Sequence, residues 1–69
     1  MMEMLKLLRI KMGKRQKDIA AAVGVSLATY RRWEYGQFEP SYSQIRKLAD
    51  VFGLEHSKFF KFLEVGALK

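Results

Sequence analysis

Short apolar segments separated by glycines are the feature of this sequence that most restricts its fold. The dividing residues are Gly13, Gly24, Gly36 and Gly53. In the clearest segment, apolar residues repeat at i, i+3, i+4 and i+7, the pattern of an amphipathic helix: Ile45, Leu48, Ala49 and Phe52. No segment alternates apolar and polar residues as a half-buried strand does. The chain is therefore expected to fold as several short helices around one core.

The first half of the sequence predicts three helices. The first covers about residues 2–12 and the second about residues 15–23. Ser26 is a favourable N-cap for the third, which ends near Tyr35, where Gly36 can supply a left-handed stop.

The second half predicts two more helices. Ser41 and Gln44 form the S-x-x-Q capping box that begins the fourth. The fifth covers about residues 56–64, and residues 65–69 are expected to be frayed or in a dimer contact. The residues expected on buried faces are Met1, Met4, Leu5, Leu8, Met12, Ile19, Ala20, Val23, Tyr30, Trp33, Ile45, Leu48, Ala49, Phe52, Phe59, Phe60 and Leu63.

Composition excludes several functional classes. With 69 residues, the chain is expected to form one small domain, residues 1–69. It has no cysteine and His56 is its only histidine, which rules out disulfides and leaves almost nothing for metal binding or histidine-based catalysis. No glycine-rich phosphate loop is present. The sequence predicts that the protein is not an enzyme and uses no cofactor, metal or small-molecule substrate.

The N-terminal segment is not expected to enter a membrane. Lys6, Arg9 and Lys11 interrupt its apolar residues. No apolar run approaches the ~18 residues that a membrane-spanning helix needs. A cytoplasmic location is therefore expected.

Positive charge is concentrated in the first half of the chain. The net charge is +6, and the first 35 residues, with eight basic and three acidic side chains, contribute +5 of it. A polyanion such as nucleic acid would be attracted to that half. From charge alone, an ordinary soluble basic surface is the alternative.

The third predicted helix has an aromatic side and a narrow cationic side. At about 100° per residue, the large rings of Tyr30 and Trp33 face away from both arginines. The free side carries Leu27, Ala28, Arg31 and Arg32. Thymine offers a methyl group and guanine two acceptors in the major groove of DNA, so this side suits base reading. A merely solvated arginine is the alternative for Arg32.

Residues 16–35 have the arrangement of a helix-turn-helix. A short helix, a turn with Gly24 and a second helix follow one another, and the small Ala20 would let the two helices approach closely. Leu8, Arg9 and Gly13 match a known family, as do the segments QKDIAAAVGVS, WEYG and PSYSQIRKLADVFGL. On these residues and segments, residues 5–60 resemble the lambda-repressor/Cro (Cro/C1-type, XRE-like) family of helix-turn-helix DNA-binding domains.

This resemblance implies a fold, a function and a set of roles. The fold would be all-α, a five-helix lambda-repressor-like domain, and the protein a phage or bacterial transcriptional repressor that binds a palindromic operator on double-stranded DNA as a homodimer. Leu27, Ala28 and Arg32 would occupy the base-reading positions. Gln16 would hold the DNA backbone. Arg9 and Glu34 would form a bridge from the first helix to the end of the third.

The sequence departs from the family at two places. Arg15 stands where Ser or Thr commonly caps the second helix, and it is expected to reach a phosphate because a cation is unfavourable at a helix N-terminus. Leu27 and Ala28 replace polar base readers, so readout would depend on methyl contacts and on Arg32. The other residues expected to contact the DNA backbone are Lys17, Ser26, Arg31 and Tyr35.

Some apolar residues have no clear place in so small a core. Phe62, Val65 and Leu68 are a possible dimer contact, with an exposed apolar tail as the alternative. Leu7 and Ile10 lie off the stripe of the first helix, so either its buried face is wide or they touch something outside the domain. Together with Phe62, they support a second function, a protein-binding module such as an antitoxin or adaptor. RNA binding is less favoured, because the sequence offers no aromatic stacking platform on a sheet.

Overall fold

The computed structural model describes residues 3–67, with side chains described for residues 4–61. Within that part of the chain the fold is all-α with five helices, as the sequence predicts. The helices are α1 (Glu3–Lys11), α2 (Gln16–Val23), α3 (Leu27–Glu34), α4 (Tyr42–Val51) and α5 (His56–Ala67). The first four agree with the predicted bounds to within one or two residues. Helix α5 continues three residues beyond the predicted end at Glu64.

One core joins the helices. Helix α3 packs against α1 and α2, α2 also packs against α4, and α4 packs against α5. Full burial of a large apolar side chain contributes about 1.5–3 kcal/mol, so a few such residues dominate the stability of a small domain. The buried apolar residues are Leu5, Ile19, Ala20, Val23, Tyr30, Trp33, Leu48, Ala49 and Phe59. All nine lie on faces that the periodicity predicts to be buried.

The structure corrects one prediction about α1 and settles which of two alternatives holds for its buried face. Met12 was expected in the core, but it follows the end of α1, in the turn, and its side chain is 42% exposed. Leu7 and Ile10 are 58% and 55% exposed. The buried face of α1 is therefore narrow, and these two residues point away from the core.

The turn between α2 and α3 is a tight left-handed helix end. Gly24 has a φ of +89°, and its N–H donates to the Ala20 and Ala21 carbonyls at 2.9 and 3.2 Å. The Val25 N–H donates to the Ala20 carbonyl at 3.0 Å. Positive φ is strained for side chains with a Cβ atom, which is why glycine suits this position. The turn lets α3 begin three residues later, packed against α2.

The caps of α3 and α4 follow the sequence prediction. The Ser26 hydroxyl accepts the Thr29 N–H at 3.1 Å. At α4, the Ser41 hydroxyl accepts the Gln44 N–H at 3.3 Å while the Gln44 side chain accepts the Ser41 N–H at 2.7 Å. Each cap satisfies backbone N–H groups that a helix start leaves unpaired.

Helix α2 begins without a side-chain cap from its N-cap residue. Arg15 is the N-cap and has no acceptor to offer, but the Asp18 carboxylate accepts the Arg15 backbone N–H at 3.0 Å. This hydrogen bond is the main reason why the pKa of Asp18 is lowered. A carboxylate in the first turn also complements the helix dipole. Among the described residues, no helix has both the length and the apolar character to cross a membrane.

Candidate nucleic-acid interface

The two sides of α3 differ in burial and in chemistry. Tyr30 and Trp33 are buried, with an edge-to-face ring contact at a centroid distance of 6.0 Å. On the opposite side Ala28, Arg31 and Arg32 are exposed. Leu27 is half-buried rather than fully free. The structure therefore brings the four predicted outward residues to one side, with only part of Leu27 at the surface.

A bidentate ion pair joins α1 to the end of α3. The Arg9 Nε donates to Glu34 Oε2 at 2.7 Å, and its Nη2 donates to Glu34 Oε1 at 3.2 Å. The Glu34 side chain is only 1% exposed and that of Arg9 12%. Burial alone would raise the pKa of Glu34, but the Arg9 guanidinium, the Tyr30 phenol and the Gln16 amide, in that order, stabilise the carboxylate and lower its pKa. The pair ties α1 to the C-terminal end of α3.

Gln16 extends this ion pair to the outer surface. Its Nε2 donates to Glu34 Oε1 at 3.1 Å, and its Oε1 accepts from Arg31 Nε at 3.2 Å. Sequence reasoning assigned Gln16 to the DNA backbone and missed these internal partners. Helical spacing gave no signal for them, because they lie 15 and 18 residues away along the chain. Gln16 thus connects the buried carboxylate of Glu34 with the exposed guanidinium of Arg31.

The Tyr30 hydroxyl lies in the core, and no described residue meets it with good hydrogen-bond geometry. Loss of water raises the pKa of Tyr30, and the looser polar interaction of the phenol with the Glu34 carboxylate, together with the negative charge of that group, raises it further. The phenol is therefore neutral at all ordinary pH values. Its role is in packing.

Arg32 lies over an aromatic ring from the loop that follows α3. Its guanidinium carbon is 5.5 Å from the centroid of the Phe38 ring. Phe38 is 59% exposed. Sequence reasoning treated residues 37–40 as a connecting loop and missed this contact. The signal available was an aromatic residue in a loop directly after the cationic helix.

The start of α2 presents exposed cations. The Arg15 side chain is 72% exposed, and its Nε lies 3.4 Å from the Asp18 carboxylate. Lys17 is also exposed. Arg15 thus has a weak partner on its own helix and remains accessible from solvent.

The two remaining residues assigned to the DNA backbone lie at the ends of α3. Ser26 is exposed, and its hydroxyl, besides capping α3, donates to the Thr29 hydroxyl at 2.9 Å. Tyr35 is 65% exposed. Both are at the surface, on the helix that carries Arg31 and Arg32.

The dimer contact assigned to Phe62, Val65 and Leu68 lies outside the residues whose side chains are described. Phe62 and Val65 fall within α5, while Leu68 lies beyond its end.

Comparison with known proteins gives the family. The family model described as Helix-turn-helix matches residues 5–59, which is most of the chain. The protein therefore belongs to the helix-turn-helix family of the Cro/C1 type, a family of DNA-binding regulatory domains that are typically not enzymes. No curated protein and no solved structure matches the chain.

Proposed function

We propose that this protein is a sequence-specific transcriptional regulator that inserts α3 into the major groove of its operator. The observation that carries the proposal is the outer side of α3, where exposed Ala28, Arg31 and Arg32 lie on a helix whose other side is fixed in the core. A helix of this width fits the major groove, where base edges are accessible. In this proposal the fold positions α3, and the outward side chains of α3 contact the bases.

In this proposal Arg32 reads a guanine. A guanidinium can donate two parallel hydrogen bonds to the O6 and N7 atoms of guanine, which is the commonest specific contact in the major groove. Leu27 and Ala28 contact thymine methyl groups. Glu34 cannot compete for Arg32 as a partner, because its carboxylate is engaged by Arg9 and Gln16.

The other polar side chains assigned to the DNA backbone contact the phosphates. They are the cations Arg15, Lys17 and Arg31, the Tyr35 hydroxyl, and Gln16 and Ser26 at the N-termini of α2 and α3. Helix N-termini attract phosphate through their free N–H groups and their dipole. These contacts set register and affinity, whereas the base contacts set specificity.

The decisive experiment begins with a binding selection from random duplex DNA, followed by affinity measurements with variants. Arg32→Ala should lower affinity for the selected duplex by about 1–3 kcal/mol and relax one base position. Lys17→Ala should instead weaken binding to every sequence and reduce the salt slope by about one unit. Arg46→Ala and Lys61→Ala, on α4 and α5, are the matched controls.

Two results would contradict this assignment. An equal loss of affinity on all sequences in Arg32→Ala would remove Arg32 from base reading. An unchanged salt slope in Lys17→Ala would remove that residue from the phosphate contacts.

We further propose that the protein acts as a homodimer on a palindromic operator, as a phage or bacterial repressor bound to the nucleoid. The two copies of α3 would then lie about 34 Å apart, one turn of duplex. The support is the short length of α3, which spans only a few base pairs and gives one copy little sequence information. Sedimentation of the protein on its selected duplex tests this, and a strict monomer would contradict it.

A protein-binding module is the second candidate. Its support is the outer side of α1, where Leu7 and Ile10 are more than half exposed. A pull-down with and without nuclease separates the two functions, since a partner held only through DNA is lost after nuclease treatment. Leu7→Ser with Ile10→Ser, which adds no charge, should release a directly bound protein and leave DNA affinity intact.

A further inference from the structure

The side chain of Arg32 is held differently from the other arginines of the first three helices. Arg9 donates to Glu34, Arg15 lies against Asp18, and Arg31 donates to Gln16. Among the residues whose side chains are described, the guanidinium of Arg32 has no hydrogen-bond acceptor; its contact is the ring of Phe38. A cation–π contact uses no hydrogen-bond acceptor, so it leaves the N–H groups of Arg32 available to a base.

The loop after α3 is hydrogen-bonded to the backbone of Arg32. The N–H groups of Gln37 and Phe38 both donate to the Arg32 carbonyl, at 2.9 and 3.4 Å. Gly36, with a φ of +75°, reverses the chain so that this return is possible. The backbone of Phe38 is therefore held at the Arg32 carbonyl, which keeps its ring within reach of the Arg32 side chain.

An aromatic face attracts and orders a planar cation. Arginine has a flexible side chain, and freezing it on a base edge costs conformational entropy. A ring that already restricts the guanidinium reduces this loss when DNA binds. The donors that read guanine are then presented before the protein meets the groove.

We propose that Phe38 is a specificity-determining positioning residue, which acts through Arg32 by holding its guanidinium in the orientation needed to read one base pair. This inference rests on the proposed function of Arg32. It assigns a role in sequence readout to the loop after α3, in addition to the helix itself.

A double-mutant cycle on DNA tests the proposal. Affinities are measured for wild type, Phe38→Ala, Arg32→Ala and the double variant, on the selected duplex and on one substituted at the base pair that Arg32 reads. Phe38→Ala should weaken binding to the selected duplex about two- to fivefold, the range for an exposed cation–π contact. It should barely change binding to the substituted duplex, and it should have no further effect when Arg32 is already Ala.

The chain offers a matched control for this cycle. Tyr42 on α4 is a similarly exposed aromatic residue, 66% against 59% for Phe38, and it lies beneath a second arginine, Arg46, at 5.9 Å. Its other ring contact is with Phe60 on α5. Tyr42→Ala should leave the preference between the two duplexes unchanged. Phe38→Tyr keeps an aromatic face and should restore wild-type preference, whereas Phe38→Leu keeps apolar bulk and should not.

An observation on the free protein gives an independent test. A ring beneath Arg32 shifts the NMR signals of the Arg32 Cδ protons upfield, and Phe38→Leu should abolish that shift without changing the helical circular dichroism. Absence of the shift in wild type would overturn the proposal.

The outcomes on DNA separate this inference from the proposed function. If Arg32→Ala relaxes one base position and Phe38→Ala has no effect, only the role of Phe38 is overturned. If Phe38→Ala weakens both duplexes equally, or still weakens binding when Arg32 is Ala, the ring contacts DNA itself and the proposal is wrong. If Arg32→Ala has no base-specific effect, the proposed function of Arg32 is overturned and the role of Phe38 with it.

Discussion

The inner and outer sides of α3 follow different physical rules, although both belong to the same eight-residue helix. On the inner side, Trp33, Tyr30 and Glu34 are buried and Glu34 accepts three hydrogen bonds. On the outer side, Arg31 and Arg32 are exposed, and each has a single described contact. The inner side stabilises the domain and sets the position of the helix. The outer side has few contacts with the rest of the domain and is exposed to solvent, as the proposed contact with DNA requires.

This contrast predicts the largest stability loss for the buried carboxylate. Glu34→Gln keeps the shape of the side chain but leaves the Arg9 guanidinium without its counter-charge. Breaking a buried ion pair by removing one partner typically costs 3–5 kcal/mol, and because Arg9 is partly exposed, we expect about 3 kcal/mol in urea unfolding. Glu55→Gln, at an exposed ion pair with Lys58, is the control and should change stability by under about 0.5 kcal/mol.

The stability lost in Glu34→Gln should depend on pH. The folded-state pKa of Glu34 lies below its ordinary value of 4.5. Its contribution is therefore complete at neutral pH and is lost as the pH falls from about 4.5 through the folded-state pKa. The stability difference between wild type and Glu34→Gln should shrink over that range. A constant difference would mean that charge is not what the substitution removes.

An intermediate effect is expected at the residue that connects the two sides. Gln16→Ala removes one hydrogen bond to the charged Glu34 and frees Arg31, and we expect a loss of about 1.5 kcal/mol in urea unfolding. In a Glu34→Gln background the same substitution should cost less, because the charged acceptor is already gone. Equal losses in both backgrounds would show that Gln16 acts independently of the ion pair.

The smallest change should be a gain. Tyr30→Phe removes a buried hydroxyl that has no described partner, and we expect thermal unfolding to show an increase in stability of about 1 kcal/mol. Because the folded-state pKa of Tyr30 is raised above the ordinary 10.0, wild-type stability falls as the pH rises above about 10, where only the unfolded phenol ionises. The advantage of Tyr30→Phe should therefore widen there.

Tyr42→Phe, at an exposed phenol, is the control and should be neutral at both pH values. A loss of stability in Tyr30→Phe would show that its hydroxyl has a partner after all.

Most of the fold, and the separation of the buried from the exposed side of α3, could be predicted from the sequence. Periodicity predicted the five helices, capping chemistry predicted the starts of α3 and α4, and the helical wheel of α3 separated Trp33 from Arg32. These are local features, set by residues within one or two helical turns.

The features that sequence reasoning missed are contacts between segments. Gln16 was assigned to DNA because its position suggested it, while its bonds to Glu34 and Arg31 depend on how α2 meets α3. Phe38 was treated as part of a loop, because no periodicity shows where a returning chain lies. Met12 fitted the apolar stripe of α1, but the helix ends before it and the turn leaves it exposed.

The link from Arg9 to Glu34 limits how the proposed reading surface can be re-engineered. Because the buried acid at the end of α3 is paired with an arginine of α1, a graft of the helix-turn-helix segment alone would omit the group that neutralises it. If α3 reads DNA as proposed, its base preference is best changed by varying residues 27, 28 and 32 within the intact domain, leaving Tyr30, Trp33 and Glu34 untouched. Such a library would vary the outward side chains of α3 and keep the buried contacts that hold this helix in the domain.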